Sequence, residues 1–167
     1  MNKIIYFIFA LLICSASFAD KNMKIGSKGK SSDVSRTIKV KMYDNYYEPN
    51  LIEVKKGETI KFVITNLGEM VHEYNIGTKE MHIKHQPEMQ KLIDHEIISF
   101  DKIDKKKMKE MSKKDHSLGH SHSNSIMLEP KAQGEIIWKF SKNIELEMAC
   151  NIPGHYESGM VGKIVTK

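Results

Sequence analysis

The sequence predicts an all-β fold, a sandwich of short antiparallel strands. Apolar and polar residues alternate at period two in several brief runs, and turn-forming residues separate those runs. The pattern is interrupted once, by a long charged stretch, and then resumes. Short alternating strands with turns between them are the signature of a two-sheet sandwich rather than of a helical domain.

The elements follow in order. Ile38, Val40 and Met42 alternate with Lys39 and Lys41, and Ile52 and Val54 alternate with Glu53 and Lys55. Lys56-Gly57 makes a turn. Ile60, Phe62 and Ile64 form the next run, which ends at the turn Asn66-Leu67-Gly68. Met70, His72, Tyr74 and Ile76 share one face of a further strand, and the pattern breaks at Gly77-Thr78. Strands resume at Ile126-Met127-Leu128. Pro130 to Gly134 reads as a turn, then Ile136, Trp138 and Phe140 alternate with their neighbours. Ile144, Leu146 and Met148 precede a loop, and Gly162 to Thr166 is the closing strand.

Between these two sets lies an insertion at about 78–126, expected to be partly helical and partly disordered. Two short helices fit it, at roughly 88–98 and 101–113, with Pro87 as an interruption. The insertion ends in a low-complexity Ser/His/Gly tract, His116 to Ser125.

The N-terminus reads as an export leader. Lys3 supplies a positive start and Ile4 to Ile13 an apolar run short for a membrane span. Ser17-Phe18-Ala19 offers small residues for cleavage before Asp20. The division expected is therefore a signal peptide at 1–19, a Ser/Gly/Lys-rich linker at 20–35 and one domain at 36–167. Cys14 leaves with the leader, so Cys150 stands as the one cysteine of the mature chain and cannot pair within it. An unpaired thiol in an oxidising compartment must be buried or bound to metal. The net charge of +5 is mild and falls by one with Lys3. The lysines of 102–114 read as a solvated run. No basic patch interleaved with aromatics points to nucleic acid.

The chemistry concentrates in Cys150-Asn-Ile-Pro-Gly-His155-Tyr-Glu-Ser-Gly-Met160, which holds a thiol, an imidazole and a thioether. Two histidines and a cysteine in a plane, with a weak axial methionine, make a blue copper site. The parity of Ile144, Leu146 and Met148 places Cys150 on the core face at a strand end. Pro153-Gly154 allows a tight loop that turns His155 back toward it, and Ser158-Gly159 allows a second bend that brings Met160 up. The fourth donor must come from elsewhere, and His72 is the candidate. It faces inward with Tyr74 and Ile76. The plainer alternatives are a structural thiol, a packing methionine and a core histidine. Zinc also suits Cys and His, but the methionine and the loop spacing favour copper.

The segment CNIPGHYESGMVGKIV resembles the C-terminal copper loop of the cupredoxins, such as plastocyanin, azurin and auracyanin. VHEYNIG is similar to the strand that gives those proteins their first histidine. The resemblance covers roughly 36–77 and 127–167. It implies a Greek-key β-sandwich with one type 1 copper held by His72, Cys150, His155 and Met160. One departure stands out: many relatives carry Asn after the first histidine, where it steadies the cysteine loop, and this chain has Glu73. The insertion is a second clue, because Met81, His82, His85, Met89, His116, His120 and His122 are auxiliary donors for copper. Its composition resembles inserts of periplasmic copper-tolerance proteins.

Together these imply a periplasmic copper protein acting in copper tolerance and capable of one-electron transfer. Its expected partners are periplasmic redox or copper-handling proteins, with no nucleic acid and no stable membrane insertion after leader removal, and a monomeric state. A dedicated electron carrier is the alternative. A copper oxidase fits less well, because one domain and a single His-x-His, His120-Ser-His122, lack the repeated motifs of an oxygen-reducing cluster. No catalytic residues are assigned.

Overall fold

The computed structural model describes residues 25–167. The leader, its cleavage before Asp20 and Cys14 lie outside the described residues. Among the described residues, ten strands form two five-stranded sheets. In chain order they are β1 (Ser27–Lys28), β2 (Arg36–Met42), β3 (Tyr47–Glu48), β4 (Leu51–Val54), β5 (Thr59–Asn66), β6 (His72–Gly77), β7 (Ser125–Leu128), β8 (Gln133–Lys139), β9 (Leu146–Ala149) and β10 (Val161–Thr166). One sheet runs β1-β8-β5-β2-β3 and the other β4-β10-β9-β6-β7. The all-β sandwich expected from the alternation is present, with one difference. The sheets are mixed, because β2 pairs with β5 and β4 with β10 in parallel. Alternation reports burial on one face and says nothing of strand direction.

The core lies between the sheets. Val40, Ile60, Phe62, Ile64, Tyr74, Ile76, Trp138, Phe140, Leu146, Met148 and Ile164 are all buried there. Phe62 is its aromatic hub, with ring centroids 5.6 Å from Tyr74 and 6.2 Å from Phe140. Burying each such side chain contributes about 1.5–3 kcal/mol. The core therefore rests on the residues whose period-two pattern is visible in the sequence.

Two expectations are corrected. The segment 20–35 is not a linker throughout: Ile25 is buried and Ser27–Lys28 pairs with β8 at the sheet edge. A two-residue strand is too short to show alternation. The insertion is a folded cap rather than a partly disordered arm. Helix α1 spans Lys79–Asp94 and α2 spans Lys105–Met111, with a 3-10 turn at His116–Gly119. Helix α1 begins where Thr78 accepts a hydrogen bond from the Met81 N–H at 3.3 Å, well before position 88, and continues through Pro87. It touches β6 and β9 and buries His82, Met89 and Leu92. Helix α2 starts at Lys105 because Asp104 caps it, accepting from the Lys107 N–H at 2.8 Å.

This cap determines the character of β6, which is buried on both faces. Tyr74 and Ile76 point into the sandwich. Glu73 and Asn75 point the other way and are covered by the cap.

Candidate metal centre

Cys150 follows β9 and is fully buried. The loop after it closes on itself through a series of backbone hydrogen bonds. His155 N–H donates to Ile152 O at 2.9 Å, Ser158 N–H to Gly154 O at 3.1 Å, and Met160 N–H to His155 O at 3.0 Å. Cys150 N–H then donates to Met160 O at 3.2 Å, so the two ends of the loop are tied together. Gly154 and Gly159 sit at φ of 86° and 93°, the left-handed conformations that let so short a loop bend twice.

The loop carries His155 Nδ1 to 3.3 Å from Cys150 Sγ. From the start of β6, His72 Nδ1 reaches 4.0 Å from the same sulfur. The two imidazole centroids are 5.0 Å apart, and the three donor atoms lie within 4.8 Å of one another. Met160 is fully buried and bound through its backbone to both Cys150 and His155. The fold thus brings the four expected residues to one end of the sandwich.

The surroundings suit ligation. His72 Nε2 lies 3.0 Å from Asp44 Oδ1, and Asp44 also accepts from the Glu69 N–H at 2.8 Å. Burial opposes ionisation of Asp44, but its bond with His72 and the backbone donors outweigh this and hold the carboxyl below its usual range. An ionised Asp44 takes the proton-bearing Nε2 of His72 as donor and leaves Nδ1 as a free lone pair. Burial pushes the His72 and His155 rings below the usual histidine range, which favours the neutral form a ligand needs. Burial also pushes the Cys150 thiol up to about 12, so loading a metal would release its proton. The Glu73 N–H donates to Cys150 Sγ at 3.3 Å.

Glu73 does what the expected Asn would do, and more. Its Oε2 accepts from the Asn151 N–H at 3.1 Å and from Asn151 Nδ2 at 2.8 Å, which steadies the residue after Cys150. Its Oε1 accepts from Ser125 Oγ at 2.5 Å and Asn75 Nδ2 at 3.1 Å. His120 and His85 Nε2 lie 2.8 and 3.2 Å from the same oxygen. Burial disfavours this carboxylate, yet the two histidines hold it well below the usual range. Asp44, Glu73 as a hub and Asn151 carried no motif in the sequence. The signal available was Glu73 itself, an acidic residue standing where the resemblance expects Asn.

The seven auxiliary donors do not form one group. His85, His120 and His122 converge. His82 is buried, with its ring 5.8 Å from that of Tyr156. Met89 belongs to the core, Met81 packs against it, and His116 is exposed at the 3-10 turn.

A cupredoxin-like domain model matches residues 3–97. The copper-resistant cuproprotein CopI of Pseudomonas aeruginosa is 38% identical over 156 residues, covering 85% of this chain and 82% of that protein. The chain belongs to the cupredoxin family. The CopI of Rubrivivax gelatinosus is 32% identical over 149 residues, covering 89% of this cupredoxin and 76% of its own length. Among solved structures, auracyanin B matches with a TM-score of 0.60 at 14% identity, over 85% of this chain and 96% of that one. The dithionite-reduced auracyanin of Roseiflexus castenholzii matches with a TM-score of 0.57 at 20% identity, over 80% and 98%. These two likenesses speak to the fold. The donor set of this cupredoxin, two imidazoles, a thiol and a thioether, fits copper: the soft sulfurs suit Cu(I) and the imidazoles accept either oxidation state.

Proposed function

We propose that this cupredoxin is an exported, periplasmic type 1 copper protein that serves copper tolerance and is capable of one-electron transfer. The observation that carries the reading is the convergence of His72 Nδ1 and His155 Nδ1 on Cys150 Sγ beside the buried Met160. The similarity to the copper-resistant cuproproteins CopI supports the physiological half of it. The leader-like N-terminus supports export, and among the described residues no helix is long and apolar enough to cross a membrane.

Bound copper would supply a one-electron couple between Cu(II) and Cu(I). The chain's own residues supply the rest. His72, Cys150, His155 and Met160 would hold the metal, with soft donors from the thiol and thioether and imidazole donors from the two histidines. Asp44 fixes the His72 tautomer, and Glu73 with Asn151 holds the cysteine loop. A preset cage needs little rearrangement when an electron arrives, which favours rapid transfer. His155, half-buried, is the ligand nearest the outside and the natural exit toward a partner. The partners are periplasmic redox or copper-handling proteins, and the protein acts as a monomeric binding protein, not as an enzyme.

A dedicated electron carrier shares the same site. Cells separate the two roles. A strain carrying Cys150→Ala should lose copper tolerance as completely as a deletion strain while growing normally without added copper. Unchanged tolerance in that strain would refute the homeostatic role.

A further inference from the structure

The mechanism above leaves His85, His120 and His122 unused, although the fold places them side by side. His85 comes from α1, and His120 and His122 from the chain after the 3-10 turn. Their ring centroids form a nearly equilateral triangle with sides of 5.3, 5.1 and 5.2 Å. One nitrogen of each lies within 4.8 Å of the other two. His85 and His120 bring their Nε2 atoms to 3.4 Å from each other. Imidazole nitrogens about 2.0–2.1 Å from a tetrahedral metal sit about 3.3 Å apart. The His85–His120 separation is that of two ligands of one metal, with a His122 nitrogen close by.

Two carboxylates complete the arrangement. Glu73 Oε1 lies 2.8 Å from His120 Nε2 and 3.2 Å from His85 Nε2, on the buried side. Glu88 Oε2 lies 2.9 Å from His85 Nδ1, where it orients the ring, and 3.6 Å from His122 Nε2. His120 holds φ 39° and ψ 51°, a left-handed conformation uncommon for a residue other than glycine. Such strain persists where surrounding contacts impose it, and it clusters at functional sites.

We infer that His85, His120 and His122, with Glu73 Oε1, form a second copper site that binds Cu(II). Three imidazoles and a carboxylate suit divalent late transition metals, and copper heads their affinity order. The site adjoins the first one. The same Glu73 carboxylate holds the Asn151 backbone and side chain through Oε2, and the Glu73 N–H donates to Cys150 Sγ. A cation at the second site therefore draws on a group that positions the cysteine loop. The site does not depend on the type 1 reading. It needs only these three imidazoles and Glu73.

The test is a Cu(II) titration of the untagged, purified protein, followed by equilibrium dialysis and electron paramagnetic resonance. It is run in parallel on Cys150→Ala and His122→Ala. His122 is partly exposed and bonds only at the rim of the triangle, so its removal spares the core, and circular dichroism checks the fold. Two copper ions per wild-type chain are expected. Cys150→Ala should keep one, with the wide hyperfine splitting of a nitrogen- and oxygen-ligated Cu(II). His122→Ala should weaken that second ion by at least about tenfold and leave any thiolate band in place. Two ions with no thiolate band would sink the type 1 reading and leave the second site standing. A wild-type chain whose only ion is lost in Cys150→Ala, or a histidine-ligated ion indifferent to His122→Ala in the folded variant, would overturn the inference.

Discussion

At the scale of single residues, the protonation of histidine links structure to conditions. His82 is buried in the cap, and burial holds its ring below the usual 6.5. A base whose folded pKa is depressed costs nothing above its unfolded value. Below about 6.5 the unfolded chain takes up a proton that the folded chain refuses, so stability falls as pH falls, by up to about 1.4 kcal/mol per pH unit. His72, His155 and His122 are shifted in the same direction. His85 is shifted upward, since its bond to Glu73 outweighs its burial, and its contribution is lost instead as pH rises past that higher value. Metal-free His82→Leu should therefore show a flatter loss of urea midpoint between pH 6.5 and 5 than the parent. An unchanged slope would show that His82 is not held neutral. At this scale the sequence was legible where residue type carries chemistry. Cys150, His155 and Met160 stand in one recognisable loop. Asp44 stayed hidden, and Glu73 was visible as a departure but its partners were not, because both roles depend on long-range contacts, 28 residues apart for Asp44–His72 and 78 for Glu73–Asn151.

At the scale of elements, the core strands and α2 were legible, and of α1 only the end was. The core strands alternate because each has one face in the sandwich. Helix α1 buries residues 82, 89 and 92, a proper helical stripe, but two histidines, His82 and His85, occupy the inner side where apolar residues would announce it. Pro87 added a false stop. His85 faces Glu73, so this polar residue answers the carboxylate beneath it. Packing between elements is tight where β10 meets its neighbours. A Cβ on Gly162 would overlap the Met148 side chain and lie 2.9 Å from Asn50 O. Gly162→Ala should lower stability by about 1–3 kcal/mol, read as a lower urea midpoint with an unchanged slope. A midpoint equal to the parent's would show that Met148 yields freely.

At the scale of the whole molecule, the insertion and the sandwich are one structure. A partly helical, partly disordered insertion was the expectation, and removal of such a segment would leave the metal site intact. The cap instead supplies Met89, Leu92, Ile97, Ile98 and Leu118 to the core, and His85 and His120 to Glu73. Removing 79–124 would take away the two histidines that hold Glu73 and uncover the carboxylate beside the cysteine loop. The larger cost is the lost core, about 1.5–3 kcal/mol for each buried apolar side chain removed. Thermal unfolding of the deletion should show a clear drop, and a midpoint equal to the parent's would restore the picture of a loose arm.

Adding one equivalent of Cu(II) to the purified protein and recording visible absorption, with Cys150→Ala alongside, tests whether the four residues at one end of this sandwich make a type 1 copper site. An intense thiolate-to-copper band in the parent and none in the variant is the predicted result. A parent that binds copper without that band would contradict the account.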